Sequence, residues 1–317
     1  MTRFDISIAG EINLDFILYG LPREMPTERE LLGTDFRASL GSSSAILAHN
    51  MAVLGSRVAF ITKVGDDSLG EDALARVEQS GVDLSRVVRS KGQASGLTII
   101  LPHDNDRHQL TYLGTISELH FEELDLEYLS SARHFHLSSL YLHRAMLQQI
   151  PELFRRMKEA GLTTSLDTND DPDDRWGEPL QEVLPYVDVL LPNRREACKL
   201  AGCKNFEDAV SSLTSRVPLL VIKLGAEGAM ASTGGETVTV PGVKVNVIDP
   251  VGAGDSFNAG FLNQWLRGAD LHTCLTFANV IGAFSTSASG GTEAFRDRDA
   301  LSRFVSKHFA HTEISHR

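Results

Sequence analysis

Two spacings of apolar residues alternate along this chain from end to end. Runs with a two-residue or continuous apolar pattern, at residues 4–9, 58–64, 135–139, 163–167 and 218–223, predict strands. Stretches with three-to-four-residue spacing predict helices between them. Residues 40–55 are one, with Ala45, Leu47, Ala48, Ala52 and Leu54 recurring, and the amphipathic stretch 145–160 is another. The run at 218–223 is apolar at almost every position, the pattern of a strand buried on both faces of a parallel sheet. Strands alternating with helices over the whole length predict an α/β fold: a mostly parallel central sheet flanked by helices on both faces. No repeat, low-complexity segment or linker divides it.

Two regions break the alternation. Residues 21–37 hold Pro22 and Pro26 among mixed charges, too irregular for a core helix. Residues 97–101 and 109–113 read as a β-hairpin with a polar tip, which places His103 and His108 at an exposed end with no third ligand to make a metal site. The tail from Arg303 onwards is polar and is expected to fray.

The most informative junction lies at 243–265. Val243, Val245 and Val247 alternate with Lys244 and Asn246, predicting a strand, while Phe257, Phe261, Leu262 and Trp265 recur at helical spacing. The chain passes between the two through Gly252, Ala253 and Gly254. A turn with almost no side chains leaves backbone N–H groups open to an anion at the helix N-terminus, where the helix dipole also favours negative charge. Asp255 in the same turn suits a base that accepts a proton from an attacking hydroxyl. It also suits an ordinary helix N-cap, and residue types alone leave both open.

Composition narrows the partners. The chain has 317 residues, 30 Lys plus Arg against 42 Asp plus Glu, and a net charge of −12. Affinity for phosphate backbones is carried by clustered positive charge, so nucleic acid and anionic membrane surfaces are not expected partners. The charged start MTRFDISIAGE and the lack of any apolar stretch approaching 18 residues point to a cytoplasmic protein. Cys198, Cys203 and Cys274 are too few and wrongly spaced for zinc or a disulfide framework, and read as reduced.

The string DPVGAGDSF, residues 249–257, resembles the C-terminal signature of the ribokinase-like (PfkB) carbohydrate kinases, usually D-T-x-G-A-G-D-x-F, with Pro250 where Thr is common. The resemblance implies a ribokinase-like fold, one domain over residues 1–317, with a small β lid from segments about 12–38 and 95–114. It implies ATP as phosphoryl donor with Mg2+, Asp255 as catalytic base, and the amides of Gly252, Ala253 and Gly254 around the transferring phosphoryl group.

Further motifs carry the resemblance toward both substrates. GEINLD, residues 10–15, resembles G-E-x-N-x-D and implies that Asn13 or, preferentially, Asp15 meets sugar hydroxyls. Residues 40–55 resemble the signature G-G-x-x-A-N, which implies that Gly41, Ser42 and Ser43 close on the sugar. Here Ser42 replaces the second Gly and Ile46 the usual Asn. Members that act on an already phosphorylated sugar often carry Lys where this chain has Ser43, so the implied acceptor is a small non-phosphorylated sugar. Asp167 and Asn169 fit D-x-N-x-R as further acceptor contacts, but Asp170 and Asp171 follow where Arg would favour an acidic sugar. Those acids read as a metal site or, preferably, a solvated turn.

Asn193 and Glu196 match N-x-x-E, at the magnesium and phosphate end, with Glu196 reaching the metal through water. The same spacing is that of a capping box. Lys223, Gly225 and Gly228 resemble the strand-end segment near the nucleotide phosphates, with Lys223 on the phosphates or in solvent. Resemblance places Asn279 at the adenine, a monovalent cation such as K+ near Asp249 and residues 287–293, and a homodimer contact through the lid. Two rivals remain: a nucleoside kinase of the same fold, whose base pocket would draw on Phe16, Tyr19, Phe36 and Tyr112, and a catalytically silent sugar-binding sensor.

Overall fold

A computed structural model describes residues 2–103 and 106–309. The strands are β1 (Phe4–Ala9), β2 (Asn13–Tyr19), β3 (Asp35–Gly41), β4 (Val58–Ile61), β5 (Lys63–Gly65), β6 (Val88–Ser90), β7 (Leu97–His103), β8 (Asp106–Tyr112), β9 (Ala132–Ser138), β10 (Thr163–Asp167), β11 (Val189–Leu190), β12 (Leu219–Lys223), β13 (Gly228–Ser232) and β14 (Thr237–Pro241). The helices are α1 (Ser43–Val53), α2 (Ser68–Glu78), α3 (Leu126–Ser130), α4 (Ile150–Glu159), α5 (Leu180–Val183), α6 (Arg194–Ala201), α7 (Phe206–Thr214), α8 (Ala253–Trp265), α9 (Leu271–Ser285) and α10 (Arg298–His308).

Eight strands form the main sheet in the order β14-β13-β12-β11-β10-β9-β1-β4. From β12 to β4 every neighbour is parallel, and β13 pairs antiparallel with both β12 and β14, so β13 alone runs against the rest. The predicted parallel sheet is therefore present. Its two faces carry separate apolar cores. One gathers Phe135, Phe154, Leu137 and Leu166 against α4, and the other gathers Ile6, Ile8, Phe60 and Phe261 against α1 and α8. A second sheet, β3-β2-β7-β8, grows directly out of the first, since only Gly10, Glu11 and Ile12 separate β1 from β2. One face of it buries Asn13, Asp15, Ile17 and Ile100. Its other face exposes Phe36, Ile99, Leu110 and Tyr112, with Phe16 stacked on Phe36.

Four sequence expectations change. The alternating run 243–247 is not a strand: the ladder ends at Pro241, and the segment is irregular chain with Val247 58% exposed. Val243, Val245 and Val247 line a cavity together with Lys244. The predicted strand 58–64 is divided at Thr62, and its two halves enter different sheets. The polar tail is helical as far as His308, because Leu301, Phe304 and Val305 pack against Phe284 and Phe295. The rest of the expected fraying lies outside the described residues. The hairpin strands run on to His103 and Asp106; His103 is only half-buried and its ring packs edge-on against that of His108. Among the described residues no group of three or more potential ligands is placed to hold a metal, all three cysteines are free, and no helix is long and apolar enough to cross a membrane.

Candidate active site

Parallel strands end together, and the loops beyond their carboxyl ends converge; ligands of open α/β sheets bind there. In this chain β1, β9, β10 and β12 end in Ala9, Ser138, Asp167 and Lys223, and α8 starts over the same edge.

Helix α8 begins after Gly252, whose φ of 73° is left-handed. A Cβ there would also lie 2.4 Å from Gly291 Cα, so both conformation and space require glycine. No side chain caps this helix. The Ala253 amide donates to Pro250 O at 3.2 Å, so of the three amides expected to be open, those of Gly252 and Gly254 remain. Asp255 is the third residue of the helix and 9% exposed, which removes the N-cap reading. Burial, then the negative charge of Asp167, pushes its carboxyl up to about 6, against the pull of Lys223 and a hydrogen bond from Ser43.

Lys223 is not solvated. Its Nζ donates to Asp167 Oδ2 at 2.5 Å, and its side chain is 12% exposed while that of Asp167 is fully buried. Burial would lower the ammonium, but the charges of Asp167 and Glu196 outweigh it and hold Lys223 above its usual range. Asp167 Oδ2 also accepts Asn258 Nδ2 at 2.5 Å, and Oδ1 accepts the Asn169 amide at 3.2 Å. Asn169, itself at φ 51°, turns its Oδ1 to the Ser139 amide at 2.9 Å. Glu196 closes the capping box with Asn193 through bonds of 2.8 and 2.9 Å. It lies in the same charge cluster, where burial and then Asp167 push its carboxyl up.

At the other end, Asn13 Nδ2 donates to Asp15 Oδ1 at 3.2 Å and to Thr98 Oγ1 at 3.1 Å, and Asn13 Oδ1 accepts the Ser42 hydroxyl at 2.6 Å. Asp15 is buried under Gly41, where a Cβ would sit 2.1 Å from Asp15 Oδ1. Burial, together with the charges of Asp255 and Asp249, moves Asp15 up to about 7. Ser42, at φ 69°, spends its hydroxyl on Asn13 instead of capping α1.

Sequence reasoning missed the support beneath this turn. Glu11, 3% exposed, accepts the Ser44 amide at 3.1 Å and the Ser44 hydroxyl at 2.6 Å. It also faces His143 Nε2 at 3.3 Å. Burial pushes Glu11 up, but the hydrogen bond and charge of His143 overcome it and hold Glu11 at about 2. Glu11 stands in the G-E-x-N-x-D string, yet His143, 132 positions away, has no sequence signal. Asp249 accepts Val251 N–H at 2.9 Å, the Ser289 hydroxyl at 3.1 Å and Gly290 N–H at 3.0 Å, fixing segment 287–293 over the α8 N-terminus. The acids after Asp167 form no metal centre. Asp171 is a buried acceptor for the amides of Asp173, Arg175 and Trp176, Asp174 pairs with Lys199, and Asp170 pairs with Arg195.

Beside Gly254 a cavity of about 440 Å³ opens, lined by Lys223, Gly225, Gly228, Phe257, Asn279 and Gly282, with Val243, Val245 and Val247 as its outer wall. Asn279 donates from Nδ2 to Val240 O and Pro241 O, tying α9 to the end of β14. The site thus has two ends. An apolar slot leads to open amides and a lysine, a polar pocket is built from Asn13, Asp15 and the serine turn, and Asp255 stands between them.

Comparison with known proteins identifies the family and the fold. A family profile described as pfkB family carbohydrate kinase matches residues 4–298. An ATP-dependent ribose-1-phosphate kinase of Halopiger xanaduensis is 32% identical over 95% of this chain and 98% of its own length. The 2-dehydro-3-deoxygluconokinase of Bacillus subtilis is 29% identical over 93% of this chain and 96% of its own. An E. coli protein of ribokinase II type, solved with ATP and Mg2+, superposes with a TM-score of 0.84 at 23% identity, covering 96% of this chain and all of that one.

Proposed function

This chain belongs to the pfkB family of carbohydrate kinases, phosphotransferases that use an alcohol group as acceptor, and from that premise we propose its reaction: transfer of the ATP γ-phosphoryl group to a hydroxyl of a small non-phosphorylated sugar. The observation that carries the reading is Asp255. A buried carboxyl raised to about 6 beside open amides is a base matched to neutral pH.

In this mechanism nucleotide lies in the 440 Å³ slot with its base beside Asn279, and its phosphates run past Gly225 and Gly228 to Lys223 and Gly254. Asp255 takes the proton of the attacking hydroxyl. The amides of Gly252 and Gly254 and the Lys223 ammonium face the charge that grows on the phosphoryl oxygens. The donors present fit magnesium: Asn193 occupies Glu196 Oε2, which leaves the other oxygen of a buried, electronegative carboxyl for a metal-bound water. Magnesium, when bound with nucleotide, supplies neutralising charge to the phosphates. K+ would be held by backbone carbonyls of segment 287–293, with Asp249 fixing that segment.

At the acceptor end Asp15, at about 7, is half protonated near neutral pH, so it can both donate to and accept from a polyol. Asn13, Gly41, Ser42 and Asn169 complete the pocket; Asp167, expected to meet the sugar, is fully buried with both oxygens engaged and acts only by holding Lys223, Asn258 and Asn169. The β3-β2-β7-β8 sheet acts as a lid that excludes water as a competing acceptor. The proposed non-phosphorylated substrate is supported by Ser43 beside Asp255, where a cation would serve a phosphate. A sugar phosphate is the second reading, favoured by the 32% identity to a ribose-1-phosphate kinase. We also propose a homodimer through the outer lid face of Phe36, Ile99, Leu110 and Tyr112, which sedimentation equilibrium tests.

ADP release measured with ribose, fructose, 2-dehydro-3-deoxygluconate, ribose 1-phosphate and nucleosides discriminates among these acceptors. Preference for ribose 1-phosphate or a nucleoside sinks the proposed substrate, and silence toward all of them sinks the kinase mechanism. Asp255→Asn must lose about 10²-fold or more in kcat while binding ATP, or the base is another group.

A further inference from the structure

Asn258 belongs to no role described so far, yet it touches the charge cluster directly. It lies one helical turn after Asp255 on α8, is fully buried, and donates Nδ2 to Asp167 Oδ2, the same oxygen that receives Lys223. Its own Oδ1 is buried without a hydrogen-bond partner. An amide placed only for packing would be a poor choice there, since a leucine fills similar space and strands no oxygen. The amide is explained by what its N–H does to Asp167.

We infer that Asn258 is a positioning residue for phosphoryl transfer: by sharing Asp167 Oδ2 it weakens that oxygen's hold on Lys223 and frees the ammonium to face the phosphates at the α8 N-terminus. The inference rests on the kinase reading above. Lys223 has a choice of anions, because Asp167, Glu196 and Asp255 all act on it. If Asp167 held it alone, the ammonium would be drawn away from Gly254, whose Cβ position lies 3.8 Å from Lys223 Nζ. If Asp167 were absent, Lys223 would collapse onto Asp255 and quench the base. An oxygen with two strong donors holds each less tightly than one with a single donor, so Asn258 sets the balance. Because Asn258 and Asp255 share a helix, that balance is fixed relative to the base and the open amides.

Two variants test this, with wild type assayed first on its preferred acceptor. In Asn258→Leu, kcat falls about tenfold or more while the acceptor KM stays within about twofold, the loss of one hydrogen bond to a charged group. In Asn258→Asp the new carboxyl can donate to Asp167 only while protonated. It would adjoin Asp167 on β10 and share its helix with Asp255, and its partners are in turn acted on by or act on Lys223 on β12, Glu196 on α6 and His136 on β9. This variant therefore loses activity as the new carboxyl ionises, an alkaline limb additional to any that Asp15 gives wild type. A packing role would not produce that limb, and the measurement stands even if the leucine variant fails to fold. A folded Asn258→Leu with kcat within twofold of wild type, or an Asn258→Asp profile superimposable on wild type, overturns the inference. If wild type phosphorylates no acceptor, the kinase reading fails first and the inference falls with it.

Discussion

A carboxylate proposed as a base and kept uncomfortable in its own protein can be detected without measuring catalysis. Asp255 moves from 3.8 to about 6 on folding, chiefly through burial and then through the charge of Asp167. A carboxyl whose folded value is raised costs nothing below its unfolded value. It destabilises progressively as pH climbs from 3.8 to about 6, and fully above that. The difference of about two pH units, at 1.36 kcal/mol each, is roughly 3 kcal/mol. Asp255→Asn removes the charge and keeps the shape. We expect it to be more stable than wild type by roughly 3 kcal/mol at pH 8 and by about half that at pH 5. With an unfolding entropy of about 2.1 cal/mol/K per residue, this raises Tm by roughly 4 °C at pH 8. Thermal unfolding of both proteins at several pH values is the assay, with activity lost in the same variant. A Tm gain that does not grow with pH, or no gain at pH 8, refutes the electrostatic account of Asp255.

Other outcomes follow from the same geometry. Gly41→Ala places a Cβ 2.1 Å from Asp15 Oδ1, so acceptor KM should rise about tenfold or more while ATP affinity by calorimetry stays put. Gly254→Val crowds Lys223, whose Cδ and Nζ lie 3.7 and 3.8 Å from the Cβ position, and should weaken ATP binding in a folded protein; unchanged affinity speaks against the open-amide site. Glu11→Gln breaks a buried pair and should cost about 3 kcal/mol or more in denaturant unfolding. Glu11 is held down at about 2, so its stabilisation is complete above 4.5 and is lost between 4.5 and about 2. The variant's deficit should therefore shrink in acid.

What could be read from the chain follows a physical divide. The turn at 252–255 was legible as a turn into a helix because the left-handed Gly252 and its close approach to Gly291 need consecutive small residues, and consecutive residues are what a sequence displays. Strands β1, β9, β10 and β12 were legible for a similar reason, each buried face leaving a local apolar pattern. Pairings made by topology were not. Lys223 and Asp167 are 56 positions apart, Asn258 and Asp167 are 91, and no local pattern announces that two strand ends and a helix will share one oxygen. The run 243–247 misled because its three valines line a cavity, with Lys244 among them, and apolar residues are retained at a cavity wall as they are in a sheet. Helix α10 was hidden by its exposure, since Leu301 is its one buried residue.

The short passage from β1 through Gly10, Glu11 and Ile12 into β2 has a bearing on how such an enzyme could change. Asn13, Asp15 and Gly41 stand on the small sheet, while Lys223, Gly252, Gly254, Asp255 and Asn258 all fall in the last third of the chain. Residues that would choose the acceptor are therefore encoded apart from those that would move the phosphoryl group, and they meet only in three dimensions. Segments 13–41 and 97–112 can be exchanged between relatives provided that the contacts of Ile17, Tyr19 and Ile100 with Val251 and Ser289 beside α8 are kept. Grafting them is the direct route to retargeting this protein to a different hydroxyl.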